Sequence, residues 1–412
     1  MLGDDNFDYK SWERPQGLIT ASHLGQFSDW LADLRYSRRT IRSYVHATER
    51  FTAWAWANGY TQLSALDHDC LIAYRHYLTY AQGGGKRAHE HNNSYCAARR
   101  FVRFLQRLCI TPVRPTDTPP LVTRFNDWML KQRGTSESTL VLYRRVVCRL
   151  LQQLAGEPHL YTAAQIRTFI LTESRGFSHS KAATAATAVR AFVRFLVAHQ
   201  ECRDGLQYAI PRLAKWGKAS LPRYLEPELV ERVVDTCDAS TALGSRDGAV
   251  LLLLARLGLR AGDVASLRLD DFDWPNGRFR VAGKSRQPEW LPLPQDVGDA
   301  ILHYVKTARP PLRSEWAFLS YCAPYGPMLR QQISATAARA IRRAGVPAPS
   351  FGAHIFRHSA ATAWLRQGLS LQSIGVLLRH RDVDTTAIYA KVDIGLLRQM
   401  AMPWPQREDS PC

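Results

Sequence analysis

The chain is 412 residues long and 46% hydrophobic, with 10% aromatic residues. That is folded material throughout and too much of it for one compact core, so two or three domains are expected. A formal net charge of +18 and a pI near 9.8 set the chain apart from an ordinary cytosolic enzyme and favour a polyanionic partner, nucleic acid first and an anionic membrane second.

Secretory and membrane classes fit poorly. The N-terminus from Met1 to Asp5 is acidic and has no apolar stretch, and the longest apolar run, Ala249 to Leu259, is short and broken by Arg256. The eight cysteines are scattered without a CxxC pair, which predicts a reduced cytoplasmic protein with no zinc site. Only nine of the 54 basic residues are lysine. The arginine excess suits phosphate contacts, although a GC-rich genome gives the same bias.

A tail (1–18) leads into a helical unit (19–111) and a diverged copy of it (119–210). Phe27-Ser28-Asp29-Trp30-Leu31 returns as Phe125-Asn126-Asp127-Trp128-Met129, and the string Phe-Val-Arg-Phe-Leu occurs at 101–105 and again at 192–196. Ala97, Phe101, Phe104 and Leu105 fall at i, i+4, i+7 and i+8, the spacing of a buried helical face. Units of about ninety residues are too long for solenoid modules and read as tandem small domains. In the first, Arg38, Arg39 and Arg42 surround a predicted helix. They either extend a DNA contact or belong to a protein–protein module.

Between the units, Thr111 to Pro120 is proline-rich and expected to be extended. A second linker, 211–224, is basic through Arg212, Lys215, Lys218 and Arg223. It suits a path along a nucleic-acid backbone, or a solvated connector. From 225 to 403 helical signals dominate, but Arg278–Val281 and Trp290–Leu293 read as short strands, with turns at Asp273–Gly277 and Gly283–Gln287. A tail (404–412) ends the chain. The expected fold is therefore mainly α with a small antiparallel β-sheet in the C-terminal domain, in the order helical, helical, α+β.

That last domain carries the candidate chemistry. Arg260 follows Gly258, the expected stop of an apolar helix 248–257, so it projects from a helix–helix junction with Asp263 near enough to support it. Lys284 lies in the turn between the strands. His354 and Arg357 are three apart on one face of a helix closed by Gly368. Ser370 caps the next helix, which ends near Leu378, and His380 follows. Asp384 is expected to cap a short helix with Tyr389 a turn or more inside it. Taken singly, each has an ordinary reading: a surface ion pair for Arg260, a solvated turn for Lys284, packing for the histidines and the tyrosine. Together they suit metal-free attack on a phosphodiester. Guanidiniums neutralise non-bridging oxygens with a planar, permanently charged fork. A tyrosine hydroxyl, with an ordinary pKa of about 10, is a weak nucleophile until positive charge stands near it.

GLRxxD, GK within a hairpin, HxFRHSxAT, and LxH with TTxxY nine residues beyond His380 occur in this order. In letters and spacing the set resembles the tyrosine recombinase (phage integrase) family, strongly over about 225–400. Residues from about 119 to 210 are similar, more moderately, to that family's helical core-binding domain. The resemblance implies that Tyr389 is the nucleophile forming a 3′-phosphotyrosyl bond and that Arg260 and Arg357 clamp the phosphate. It implies that Lys284 protonates the leaving 5′-oxygen, that His354 and His380 give acid/base and hydrogen-bonding support, and that no metal, ATP or cofactor is needed. It also implies a double-stranded DNA partner, two protomers per site and four in a synapse, sister recombinases in some systems, and a cytoplasmic, nucleoid-associated enzyme. A tail around 392–400 would dock on a neighbouring protomer or on its own domain. The task would be integration, site-specific recombination or transposition of a mobile element. A topoisomerase-like cut-and-reseal enzyme and a non-catalytic accessory recombinase stay open as competitors. Three departures stand out. Arg379 occupies a position where the family usually has glycine, altering the turn or adding a DNA phosphate contact. Asp263 stands where glutamate is usual. The core-binding-like unit is doubled.

Overall fold

The computed structural model describes residues 21–80, 88–112, 118–154, 156–175, 178–211, 222–282, 288–380 and 383–391. Its first half is a helical series stated twice. Helices α1 (Ala21–Asp33), α2 (Arg38–Ala57), α3 (His68–Tyr80) and α4 (Ala88–Arg107) are followed by α5 (Pro120–Arg133), α6 (Glu137–Leu154), α7 (Ala163–Ser174) and α8 (His179–Ala198). The two sets run 13, 20, 13 and 20 residues against 14, 18, 12 and 20. Each has a 3-10 turn between its second and third helices, at Leu63–Ala65 and Pro158–Leu160.

The repeated letters carry the same burial. Phe27 and Phe125 are both fully buried, and each Phe-Val-Arg-Phe-Leu string is buried at four positions and exposed at its arginine, Arg103 or Arg194. The physical reason is visible in the second set. Phe125 meets Phe192 and Phe195 edge to face, with ring centroids 5.4 and 5.7 Å apart, the arrangement that aromatic quadrupoles favour. Local signals fix the helix ends: Pro120 opens α5 and Gly134 closes it at φ 54°, and Thr162 with Gln165 forms a capping box on α7. By internal contacts the chain divides into residues 51–219 and residues 220–412 together with 1–50, a boundary that falls inside α2.

The C-terminal part contains α9 (Pro227–Val234), α10 (Ala242–Leu257), α11 (Ala261–Ala265), strands β1 (Phe272–Asp273), β2 (Arg278–Ala282) and β3 (Pro288–Pro292), then α12 (Gln295–His303), α13 (Arg330–Ala344), α14 (Ala353–Arg366), α15 (Leu371–Leu377) and α16 (Val383–Ala390). The sheet is antiparallel in the order β1-β2-β3, with Phe279 opposite Leu291 and Arg280 opposite Trp290. Helix α10 is apolar from Ala249 to Ala255, where neighbours among α9, α11, α12, α13 and α14 pack against it. A helix so surrounded fixes whatever emerges from its end.

Several expectations shift by a few residues. Helix α10 begins at Ala242, capped by the Thr241 hydroxyl, well before residue 248. The third strand runs Pro288–Pro292, starting two residues earlier than expected, and the Leu293 amide donates to the Gly277 carbonyl at 2.8 Å. Helix α16 starts at Val383, which puts Asp384 inside its first turn rather than at the cap. Lys284, the linker residues Arg212, Lys215 and Lys218, and the tail from 392 lie outside the described residues. Among the described residues no helix is long and apolar enough to cross a membrane.

Candidate active site

Gly258 ends α10 in the left-handed region at φ 58°, and the chain reverses into α11 with Arg260 at its head. Only glycine fits here without strain, and a Cβ would also stand 2.9 Å from Leu378 Cδ2. The Gly258 carbonyl accepts a hydrogen bond from Arg357 Nη1 at 2.7 Å, so the reversal places one arginine and anchors the other. Gly258→Ala should therefore destabilise the chain by about 2 kcal/mol, read as a lower denaturant midpoint at unchanged slope.

Helix α14 supplies His354, Arg357 and His358 from consecutive turns. Arg357 is only 3% exposed, and its Nη2 donates to the Leu378 carbonyl. Arg260 Nη2 donates to the next carbonyl, that of Arg379, at 3.2 Å. Both guanidiniums thus converge on the segment joining α15 to α16. Burial, then the neighbouring Arg260, lowers the Arg357 pKa to about 10, which leaves it charged at neutral pH. Burial likewise lowers Arg260, against the pull of Asp263.

Tyr389 sits between α14 and α15 among Ala361, Ile374 and Leu378, 2% exposed. Its hydroxyl lies 2.9 Å from His358 Nδ1. Burial pushes the phenol up to about 12, against the opposing charges of Arg357 and Arg260. The neutral hydroxyl therefore donates and His358 accepts. His358 is itself lowered to about 4 by burial, then by His354 and Arg357, so it is neutral and able to accept. The sequence reading passed over His358. Its signal was present: it is four residues from His354 on the same helical face, and the two rings meet edge to face at 4.6 Å.

His354 keeps an exposed edge. Partial desolvation, then Arg357 and Arg260, lowers its pKa. His380 Nδ1 is 2.7 Å from the Thr386 hydroxyl, and burial, then Arg357 and Arg260, lowers it to about 4. Asp263 supports Arg260 differently from expectation. Its Oδ2 accepts from the Arg260 backbone amide at 3.1 Å and from Arg379 Nη2, while the Arg260 guanidinium is 3.9 Å away. Arg379, expected to alter the turn or to contact a DNA phosphate, has a side chain only 5% exposed and paired with Asp263. Arg38, Arg39 and Arg42 are exposed on α2, and exposed Arg223 donates to the Pro349 carbonyl at 3.4 Å.

The two histidines near 4 set a pH signature. Their folded pKa values lie below the unfolded value of about 6.5, so on acidification the unfolded chain takes up protons first and stability is lost from 6.5 down toward 4. The melting temperature should fall by several degrees over that window, and His358→Asn should remove part of the fall. A flat profile would contradict the buried, neutral pair.

Residues 223–394 match the Phage integrase family. Over 411 residues the chain is 33% identical to the putative integrase/recombinase y4rA of Sinorhizobium fredii (strain NBRC 101917 / NGR234), spanning 97% of this chain and 98% of that protein. This chain belongs to the phage integrase family of tyrosine recombinases. It is similar also to the tyrosine recombinase XerD of Listeria monocytogenes serotype 4b, 28% identical over 66% of this chain and 94% of that one. Among solved structures, this recombinase resembles the XerH site-specific recombinase bound to palindromic difH substrate (TM-score 0.54, 16% identity, 82% of this chain and 95% of that one). It also resembles a lambda integrase dimer bound to a COC′ core site (TM-score 0.52, 16% identity, 70% and 98%). At such identities the likeness is one of fold. As a tyrosine recombinase, the enzyme cuts and rejoins DNA strands through a phosphotyrosyl intermediate.

Proposed function

We propose that Tyr389 is the nucleophile of a site-specific recombinase acting on double-stranded DNA, with Arg260 and Arg357 holding the scissile phosphate. The observation that carries this is one cluster: both arginines donate to the Leu378 and Arg379 carbonyls, Tyr389 packs on Leu378 and meets His358, and His354 and His380 feel both guanidinium charges. The Tyr389 oxygen attacks phosphorus as its proton passes to His358 Nδ1. The bond to the 5′-oxygen breaks, and that oxygen takes a proton from Lys284, in the β2–β3 connection. A 3′-phosphotyrosyl ester remains, and attack by a 5′-hydroxyl of another strand reverses the sequence. The ester conserves the bond energy, so rejoining consumes no ATP. His354 and His380 hydrogen-bond the phosphate oxygens as charge develops on them.

The reading extends to a catalytic domain at 225–403 preceded by helical domains at 19–111 and 119–210, to two protomers per site and four per synapse, and to a mobile-element integrase or transposase. The test is strand exchange between two labelled duplexes carrying the site, run beside relaxation of a supercoiled plasmid. Exchange supports the recombinase, whereas relaxation alone supports a topoisomerase-like enzyme. For the first helical domain, DNA contact is favoured by the exposed Arg38, Arg39 and Arg42. Replacing all three by alanine should reduce the slope of log affinity against log salt by about 2–3. An unchanged slope with lost synapsis would assign the domain to protein contacts.

A further inference from the structure

Arg379 is a strained residue. It holds φ 53°, a left-handed conformation that costs a non-glycine residue about 1 kcal/mol or more and glycine almost nothing. Its side chain is 5% exposed. Asp263 Oδ2 takes Nη2, but Nε and Nη1 have no hydrogen-bond partner among the described residues. Buried donors of a charged group left unpaired are expensive. A side chain both strained and under-satisfied, in a spot that Asp263 fixes, points to a ligand that completes it.

The surroundings identify the ligand's charge. The Arg379 carbonyl holds Arg260 and the preceding carbonyl holds Arg357, so one short segment gathers three guanidiniums. Arg379 acts electrostatically on both of the others. Among the described residues the carboxylate bound to Arg379 is Asp263, and exposed Glu289 acts on Arg260 less strongly than Asp263 does. Among the described residues, three guanidiniums against Asp263 leave a net charge of +2. A bound phosphodiester carries about −1, and the five-coordinate transition state it forms with a tyrosinate carries about −2.

We propose that Arg379 is a third phosphate-binding guanidinium of this site, donating from Nε and Nη1 to a non-bridging oxygen of the scissile phosphodiester while Asp263 holds Nη2. The proposal rests on the reading of this pocket as the site of phosphodiester attack. Because the extra charge matches the transition state better than bound DNA, Arg379 acts mainly on rate. It belongs to this chain's own solution for neutralising the phosphate, at a position where backbone geometry alone would select glycine.

The test compares wild type, Arg379→Gly and Arg379→Lys on a synthetic duplex spanning the cleavage position mapped on DNA flanking the encoding locus. The scissile group is either an ordinary phosphodiester or an uncharged methylphosphonate, each diastereomer separately. In the first variant glycine relieves the left-handed strain but leaves Asp263 without its ion-pair partner, so melting is measured in parallel and rates are compared on folded protein. On the phosphodiester its maximal rate of adduct formation should fall about 10–100-fold with DNA affinity nearly unchanged, and lysine should restore part of the rate. On one methylphosphonate diastereomer the gap should shrink at least tenfold, because the charge that Arg379 neutralises is gone. An equal deficit on all three substrates would overturn the proposal and leave Arg379 a pocket-shaping partner of Asp263, as would a wild-type rate in Arg379→Gly. A wild-type chain that binds the phosphodiester but forms no adduct would refute the parent reading, and this one with it.

Discussion

Arg357→Lys should slow formation of the tyrosyl–DNA adduct by about 10³-fold, near the upper end for removing one preorganised donor from a developing anion. The buried guanidinium spends Nη1 on the Gly258 carbonyl and Nη2 on the Leu378 carbonyl. Those two bonds set its plane and leave the remaining N–H groups for phosphate. A lysine can satisfy neither the pair of carbonyls nor a bidentate phosphate contact. Charge suffers as well. The environment that brings Arg357 down to about 10 would carry an amine, ordinarily near 10.4, toward the working pH. Each carbonyl left unpaired costs about 1–3 kcal/mol, so a modest fall in melting temperature should accompany the kinetic loss. Single-turnover adduct formation on nicked DNA, with melting and DNA binding measured in parallel, checks this. A rate within tenfold of wild type would make Arg357 a structural residue only.

Tyr389→Phe should have the larger effect, a loss of at least about 10⁴-fold, because no neighbouring group replaces a missing nucleophile. Stability should change little. The ring stays packed on Ala361, Ile374 and Leu378, and only the hydrogen bond to His358 is lost, worth about 1 kcal/mol. The variant should bind DNA like wild type and form no adduct. If it kept strand-cleaving activity, another residue would be the nucleophile. If the wild type bound DNA tightly but never formed an adduct, the accessory reading would gain.

The parts of this account legible in sequence are those fixed locally. Gly258 stops α10 because a left-handed residue is needed there, and Ser370 caps α15 through the Ser373 amide. The helical repeat was readable because four apolar letters around one arginine impose the same face twice. What escaped depends on contacts between distant segments. Asp263 and Arg379 are 116 positions apart, and nothing in either neighbourhood announces that the carboxylate serves the second arginine as well as the Arg260 backbone. His358 was overlooked because its partner, Tyr389, comes from another helix 31 residues on. The burial of the tyrosine follows from the packing of α16 on α14 and α15, which no period in α16 alone specifies.

That burial gives the pocket a chemical logic. A phenol at about 12 is a poor nucleophile, and its proton is already directed at a neutral imidazole. In the proposed reaction the charge that lowers the barrier comes from Arg260 and Arg357, whose positions backbone carbonyls set in advance, so little reorganisation is needed when phosphate arrives.

The most direct test is to trap the adduct of the wild-type chain on nicked duplex DNA, digest protein and DNA, and locate the attached nucleotide by mass spectrometry. The account predicts a nucleotide joined through its 3′-phosphate to Tyr389, on the tryptic peptide 382–391. Attachment to any other residue, Tyr304 or Tyr321 included, or a linkage through a 5′-phosphate, would contradict it.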